Sequence, residues 1–257
     1  MDLISTYIIH QADNALILGH RNSEWTGHGP VLEQDIAISN IALDLIGQAR
    51  YFYQLAATRI NESVPGQNIT EDDIAYLRDD FEYRNCILAE QENGDWARTL
   101  LRQFYFSTYQ LLLYKELLKS RDPGIAGICG KSVKETIYHV KWSSEWVIRL
   151  GDGTEESRTR MIDTMQTLNP WIPELFIPAD FEYEAAATGA GILPETLQDE
   201  WYHRVNRVLE SATLPTLLSG NPPLQILSGK KGVHSEHLGH LLAEMQFLQR
   251  AYPGCSW

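Results

Sequence analysis

The sequence predicts an all-α protein. Nearly every long segment between glycine and proline punctuation carries apolar residues at helical period, strand-like alternation with hairpin turns is missing, and the clearest local signals are helix caps.

Taken in order, a first helix is expected from Ser5 to about Trp25, and the loop Gly27-His28-Gly29 separates it from a second. That second helix starts at Pro30, a residue suited to a first helical turn, and runs through Ala42 and Ala49 to about Arg59. After the polar stretch 61–68, Thr70 reads as an N-cap, followed by Glu71, Asp72 and Asp73 that complement the helix dipole. A short helix through Leu77 follows, then a helical turn between Phe81 and Glu90 and the loop Asn93-Gly94. Asp95 caps a third long helix, Trp96 to Ser120, and Asp122-Pro123 opens a fourth that ends near Gly151-Asp152-Gly153. Two long helices joined by so short a turn must be antiparallel neighbours. Thr154 to about Leu168, Pro194 to Ser211 and Val233 to Tyr252 read as further helices, joined by irregular connections at 169–191 and 212–231. With no repeat and no flexible linker, residues 1–257 are expected to form a single domain.

Composition narrows the function. At 257 residues and 44% hydrophobic the chain can bury a substantial core. Cys86, Cys129 and Cys255 are odd in number and far apart, which suits a reducing compartment better than a disulfide framework or a zinc site. The absence of a basic leader and of any long apolar run predicts a soluble, cytoplasmic protein. A net charge of -13 argues against nucleic acid or an anionic membrane as a partner and favours a protein or a small molecule.

Two helices carry polar residues where core is expected. The second is apolar over more than one face, yet Glu33, Asn40, Asp44 and Gln48 recur at spacings that place them on one stripe. The fourth long helix sets Glu135, Thr136, His139 and Ser143 among Ile137, Val140, Trp142, Trp146 and Ile148. Both stripes are expected to point inward, as metal ligands or as a self-satisfied network. A carboxylate-bridged di-iron site in a helical bundle needs one carboxylate from each of two helices and Glu-x-x-His from each of two others. Thr136 stands three residues before His139, and the second helix has no histidine, so the ligand pattern is incomplete.

Other candidates are weaker. Glu200-Trp201-Tyr202-His203 is a solitary Glu-x-x-His, read as a surface pair. His237, His240 and Glu244 share a helix face but lack a fourth ligand, so polar contacts are the preferred reading. Gly229-Lys230-Lys231-Gly232 could cradle an anion, but is read first as a solvated turn. Phe104, Phe106, Tyr109, Trp142 and Trp146 read as core and interface aromatics. No dinucleotide fingerprint, P-loop or nucleophile elbow is found.

The stretch Leu32-Glu33-Gln34-Asp35-Ile36-Ala37, continuing from Asn40-Ile41-Ala42-Leu43-Asp44 to Arg50, resembles the second helix of the C-type subunits of phenylacetyl-CoA epoxidases. The similarity continues through Ser120-Arg121-Asp122-Pro123, Lys134-Glu135 with Tyr138-His139, and the run from Arg149 to Thr154. It closes with the runs from Gly229 to Gly239 and from Leu242 to Arg250, and so covers nearly the whole length. The resemblance implies a ferritin-like helical bundle with additional C-terminal helices, serving as a structural, metal-free subunit beside a homologous A-type subunit that is catalytic and carries the di-iron centre. Such complexes insert one oxygen atom from dioxygen into the ring of phenylacetyl-CoA, with NADPH supplying electrons through a reductase subunit. On this reading the chain holds no cofactor and no catalytic residue, and the iron belongs to the partner. Glu33, Asp44, Glu135, Thr136 and His139 are then relic positions, Thr136 standing where the catalytic subunit has glutamate. The assembly is expected to be a hetero-oligomer, with a homodimer open to the chain when alone. The alternative reading makes the chain itself a di-iron oxygenase with atypical ligands, Glu33, Asp44, Glu135 and His139. A third reading is a self-contained helical protein without an enzyme partner.

Overall fold

The computed structural model describes residues 2–64, 66–218 and 228–255. Among these the chain forms eleven α-helices and no strand, the all-α class read from the sequence. They are α1 (Leu3–Ser23), α2 (Leu32–Ser63), α3 (Glu71–Tyr76), α4 (Ile87–Glu90), α5 (Trp96–Leu117), α6 (Pro123–Gly151), α7 (Glu155–Leu168), α8 (Asp180–Thr188), α9 (Gln198–Ser211), α10 (Glu236–Met245) and α11 (Phe247–Ala251). Among the described residues no helix is long and apolar enough to cross a membrane.

The caps sit where the sequence places them. Asp95 Oδ1 accepts from the Arg98 amide, Asp122 Oδ1 from the amides of Gly124 and Ile125, and Thr70 and Asp73 form a reciprocal capping box. Several boundaries differ: α2 runs on to Ser63 and not Arg59, α5 ends at Leu117 and not Ser120, and α10 starts at Glu236 and not Val233. Helix α2 begins at Leu32, not Pro30, because Val31 keeps an extended backbone. The connection expected over 169–191 contains α8, whose acidic, aromatic sequence carries little amphipathic signal. The C-terminal helix is interrupted at Gln246, a buried residue whose side-chain amide donates to the Arg78 carbonyl at 2.9 Å and to the Tyr83 hydroxyl at 3.0 Å.

Contacts group the chain into two compact units, neither continuous in sequence. The first combines Met1–Gln91, Ala179–Ala185 and Leu227–Trp257; the second combines Glu92–Pro178 and Ala186–Ile226. In the first, α1 packs along α2, while α3 lies on α2, and α4 and α10 lie on α1. Ile17, Tyr83, Leu238, Leu241 and Leu242 form a buried cluster there, so the C-terminal α10 is part of the core. In the second, α5 packs along α6, α7 and α9 lie against both, and Trp201 is fully buried with its indole N–H donating to the Tyr105 carbonyl at 3.0 Å. Each unit holds one pair of long helices packed side by side.

His20, near the end of α1, is held neutral by burial, which drops its pKa to about 4. An imidazole whose folded pKa is depressed binds fewer protons than in the unfolded chain, so its contribution falls as pH drops below the unfolded value of 6.5. We expect acidification from pH 7 to pH 4 to remove about 3 kcal/mol through this residue. Urea titrations at a series of pH values check this: the pH slope of stability should flatten in His20→Gln, and an unchanged slope contradicts it.

Candidate functional site

The two polar stripes read from the sequence have different fates. On α6, Ser132, Thr136, His139 and Ser143 are all buried, and Glu135 is half-buried. The hydroxyls of this stripe are satisfied along their own helix. Ser132 donates to the Ile128 carbonyl at 3.0 Å, Thr136 to Ser132 at 2.8 Å and Ser143 to His139 at 2.6 Å. Thr136 therefore spends its donor on the backbone four residues earlier, where a glutamate would extend a carboxylate away from the helix.

On α2 the inward expectation fails for two of four residues. Glu33 and Asn40 are exposed, Asp44 is half-buried and Gln48 is buried. The spacing advances slowly around the helix, and only its C-terminal member comes round to the face holding Ile38, Ile41, Leu45, Ala49 and Phe52. The same outer face carries Leu32, Ile36 and Leu43, which are 70%, 53% and 66% exposed. The second apolar face that suggested a central helix is uncovered in this chain.

The remaining candidates resolve as ordinary surface or core. Glu200 is exposed and accepts from Arg204 Nε at 2.7 Å, one turn along the helix, with His203 exposed beside it. His240 and Glu244 are exposed and His237 half-buried. Among the described residues no group of three or more His, Cys, Asp or Glu is gathered so as to hold a metal ion. Phe104, Phe106, Tyr109 and Trp142 are buried, and Trp96 meets both Trp142 and Trp146 edge-on. Burial pushes the Cys129 thiol up to about 12, which makes it inert.

The family model described as phenylacetic acid catabolic protein matches residues 2–257. The chain belongs to this family. It is also 39% identical over 260 residues to the C subunit of the 1,2-phenylacetyl-CoA epoxidase of Escherichia coli (strain K12), with both chains covered in full.

In this member of the phenylacetic acid catabolic protein family the densest polar chemistry lies inside the first unit, and the sequence reading missed most of it. The Gly-Lys-Lys-Gly turn is not solvated: Lys230 is buried, and its ammonium donates to both carboxylate oxygens of Glu182 on α8, at 3.1 and 3.0 Å. Lys231 alone faces solvent. Both glycines are required by close approach. A Cβ on Gly229 would lie 2.0 Å from the Asn85 carbonyl oxygen, and one on Gly232, whose φ is +77°, would lie 2.2 Å from that of Phe81. The turn is a plug, and its burial removes it as an anion cradle.

Three further anchors surround it. Glu90 Oε1 accepts from the Ser235 amide and hydroxyl, each at 2.7 Å, while Oε2 lies 2.7 Å from His234 Nδ1 and accepts from Asn85 at 2.8 Å. His10 Nδ1 lies 2.6 Å from the Arg84 carbonyl, which can only accept, so that nitrogen carries the proton. Burial depresses the His10 pKa, against the pull of Glu182 3.8 Å from Nε2, and keeps the ring neutral. Asp13, fully buried, accepts from Tyr53 Oη at 2.5 Å, from the Arg84 amide at 2.7 Å and from the Arg78 guanidinium. Burial works against the Arg78 charge, but Asp13 more than offsets it and the guanidinium pKa is raised; burial and the same carboxylate also push the Tyr53 phenol well up. The cluster buries two opposite-charge pairs, Lys230 with Glu182 and Arg78 with Asp13, and its chemistry is that of a structural seam.

No local signal in the sequence joins these residues. His10, Asp13 and Asn14 stand on one side of α1, and Glu182 sits in a segment that reads as loop.

Proposed function

We propose that this chain is the structural, metal-free member of a ring-1,2-phenylacetyl-CoA epoxidase, acting in phenylacetate catabolism beside a homologous di-iron partner that does the chemistry. The observation that carries the reading is Thr136. A di-iron carboxylate site needs a glutamate three residues before its histidine, and here that position holds a buried hydroxyl bonded to its own helix. Glu33, the first carboxylate on α2, is exposed, so the residues present do not fit a di-iron centre and no step of the chemistry is assigned to them. The full-length likeness to the C subunit of an epoxidase supports the wider assignment.

The role left to the chain is support. Leu32, Ile36 and Leu43 form an exposed apolar stripe along α2, the kind of face that obligate interfaces cover. Iron and the acyl-CoA are then held by the partner, with NADPH electrons arriving through a separate reductase.

The deciding experiment measures iron content and phenylacetyl-CoA-dependent oxygen consumption for this chain alone, and again after mixing with its catalytic partner, reductase and NADPH. Activity confined to the mixture, with no iron in this chain, is the expected result. Near-stoichiometric iron with activity in the isolated chain overturns it and favours an oxygenase using Glu33, Asp44, Glu135 and His139. A companion variant, Leu43→Glu, should leave the fold intact and weaken co-elution with the partner by at least about tenfold in affinity. Unchanged co-elution would place the interface elsewhere.

A further inference from the structure

The second unit carries a groove that the supporting role does not use. Helix α9 buries Trp201, Tyr202, Val205 and Leu209, which turns His203, Arg204 and Arg207 outward. These three residues line a groove of about 470 Å³ between α5, α6 and α9, over walls that include Val140, Val208 and Leu111. That volume lies within the range of small-molecule sites.

The available hydrogen-bond donors decide what such a groove recognises. Three hydroxyls line it, and all are spent on their own helices: Thr108 donates to the Phe104 carbonyl at 2.8 Å, Ser144 to Lys141 at 2.9 Å and Ser211 to Arg207 at 2.9 Å. Glu200, the one carboxylate lining the groove, is engaged by Arg204 at 2.7 Å. That bond lowers the Glu200 pKa, and the charges of His203 and Arg207 lower it further. Among the described residues the side chains of His203 and Arg207 make no hydrogen bond and no ion pair. They stand one helical turn apart, on the same face. The groove therefore offers a guanidinium and an imidazole free of hydrogen bonds, beside an apolar wall, with the Glu200 carboxylate held by Arg204 at its edge.

We propose that this groove is a binding site for a small amphiphilic oxyanion, its carboxylate or phosphate head on Arg207 and His203 and a short apolar tail against Val140 and Val208. Planar guanidinium groups match both kinds of head. A chain with net charge -13 repels anions at a distance, so retention depends on these contacts and not on the field of the whole protein.

The test uses the full chain with isotope-labelled valine and leucine methyl groups, titrated with hexyl phosphate, hexanoate, inorganic phosphate and hexanol. The methyl signals of Val140, Val208 and Leu111 should shift saturably with hexyl phosphate or hexanoate, and the tighter of the two identifies the head group. Inorganic phosphate and hexanol should each bind about tenfold more weakly, because each lacks one half of the recognition. Arg207→Gln should lower the affinity for the preferred head about tenfold while leaving the other methyl signals in place, which shows that the fold survives. Equal binding of hexanol, equal binding of inorganic phosphate, shifts centred elsewhere, or an indifferent Arg207→Gln would each overturn the proposal.

Discussion

Replacing Lys230 by methionine is expected to destabilise the protein by about 3–5 kcal/mol, although the new side chain fills nearly the same space. Lys230 and Glu182 are each only 2% exposed, and the ammonium is the counter-charge for both oxygens of the carboxylate. Removing it leaves a buried carboxylate with the Ala179 amide as a donor, at 2.8 Å, and a neutral His10 at 3.8 Å. Removing both charges should cost much less than removing either, since two apolar groups of similar shape need no counter-ion. Urea denaturation of Lys230→Met, Glu182→Leu and the double variant reads this as a coupling energy. Single variants within about 0.5 kcal/mol of the parent would show that neither charge is penalised when left alone, and would overturn the expectation.

Asp13→Ala should have a comparable effect for a different reason. One carboxylate there serves the Arg78 guanidinium, the Tyr53 hydroxyl and the Arg84 amide, so its loss strands three donors. Arg78 cannot shed its proton, and its side chain is only 12% exposed, so the charge stays where burial opposes it. A loss of about 3–5 kcal/mol is expected, against about half of that for Asp13→Asn, which keeps one acceptor and the shape. Equal stability of the two variants would show that the partial set of acceptors kept by asparagine contributes nothing.

The helical elements were legible in the sequence because caps and period are local properties. Thr70, Asp95, Asp122-Pro123 and Thr154 each announce a helix that the structure contains. The spacing of Thr136 and His139 could be read directly, because a spacing of three residues is also local. The seam was not legible. His10, Glu90, Glu182 and Lys230 lie far apart in the chain, and a lysine in a Gly-Lys-Lys-Gly turn looks the same in water as in a core. What decided between those states was the fit of Gly229 and Gly232 against the backbone of 81–85, a contact with no local signature. The outward turn of Glu33 and Asn40 was hidden for a similar reason, since an apolar face that stays exposed and one that packs in the core have the same composition.

The seam also sets an order on synthesis. Residues 1–91 leave the ribosome carrying His10, Asp13 and Glu90, yet Glu182 follows only after another ninety residues and Lys230, His234 and Ser235 later still. At ordinary translation rates roughly seven to thirty seconds separate Glu90 from its last partner, Ser235. The second unit can begin to fold during that interval, but the first cannot close. A nascent chain stopped before residue 228 would leave the carboxylates of Glu90 and Glu182 without Lys230, His234 and Ser235 and would uncover the apolar cluster that α10 completes, a signature by which chaperones and proteases can sort unfinished copies from whole ones.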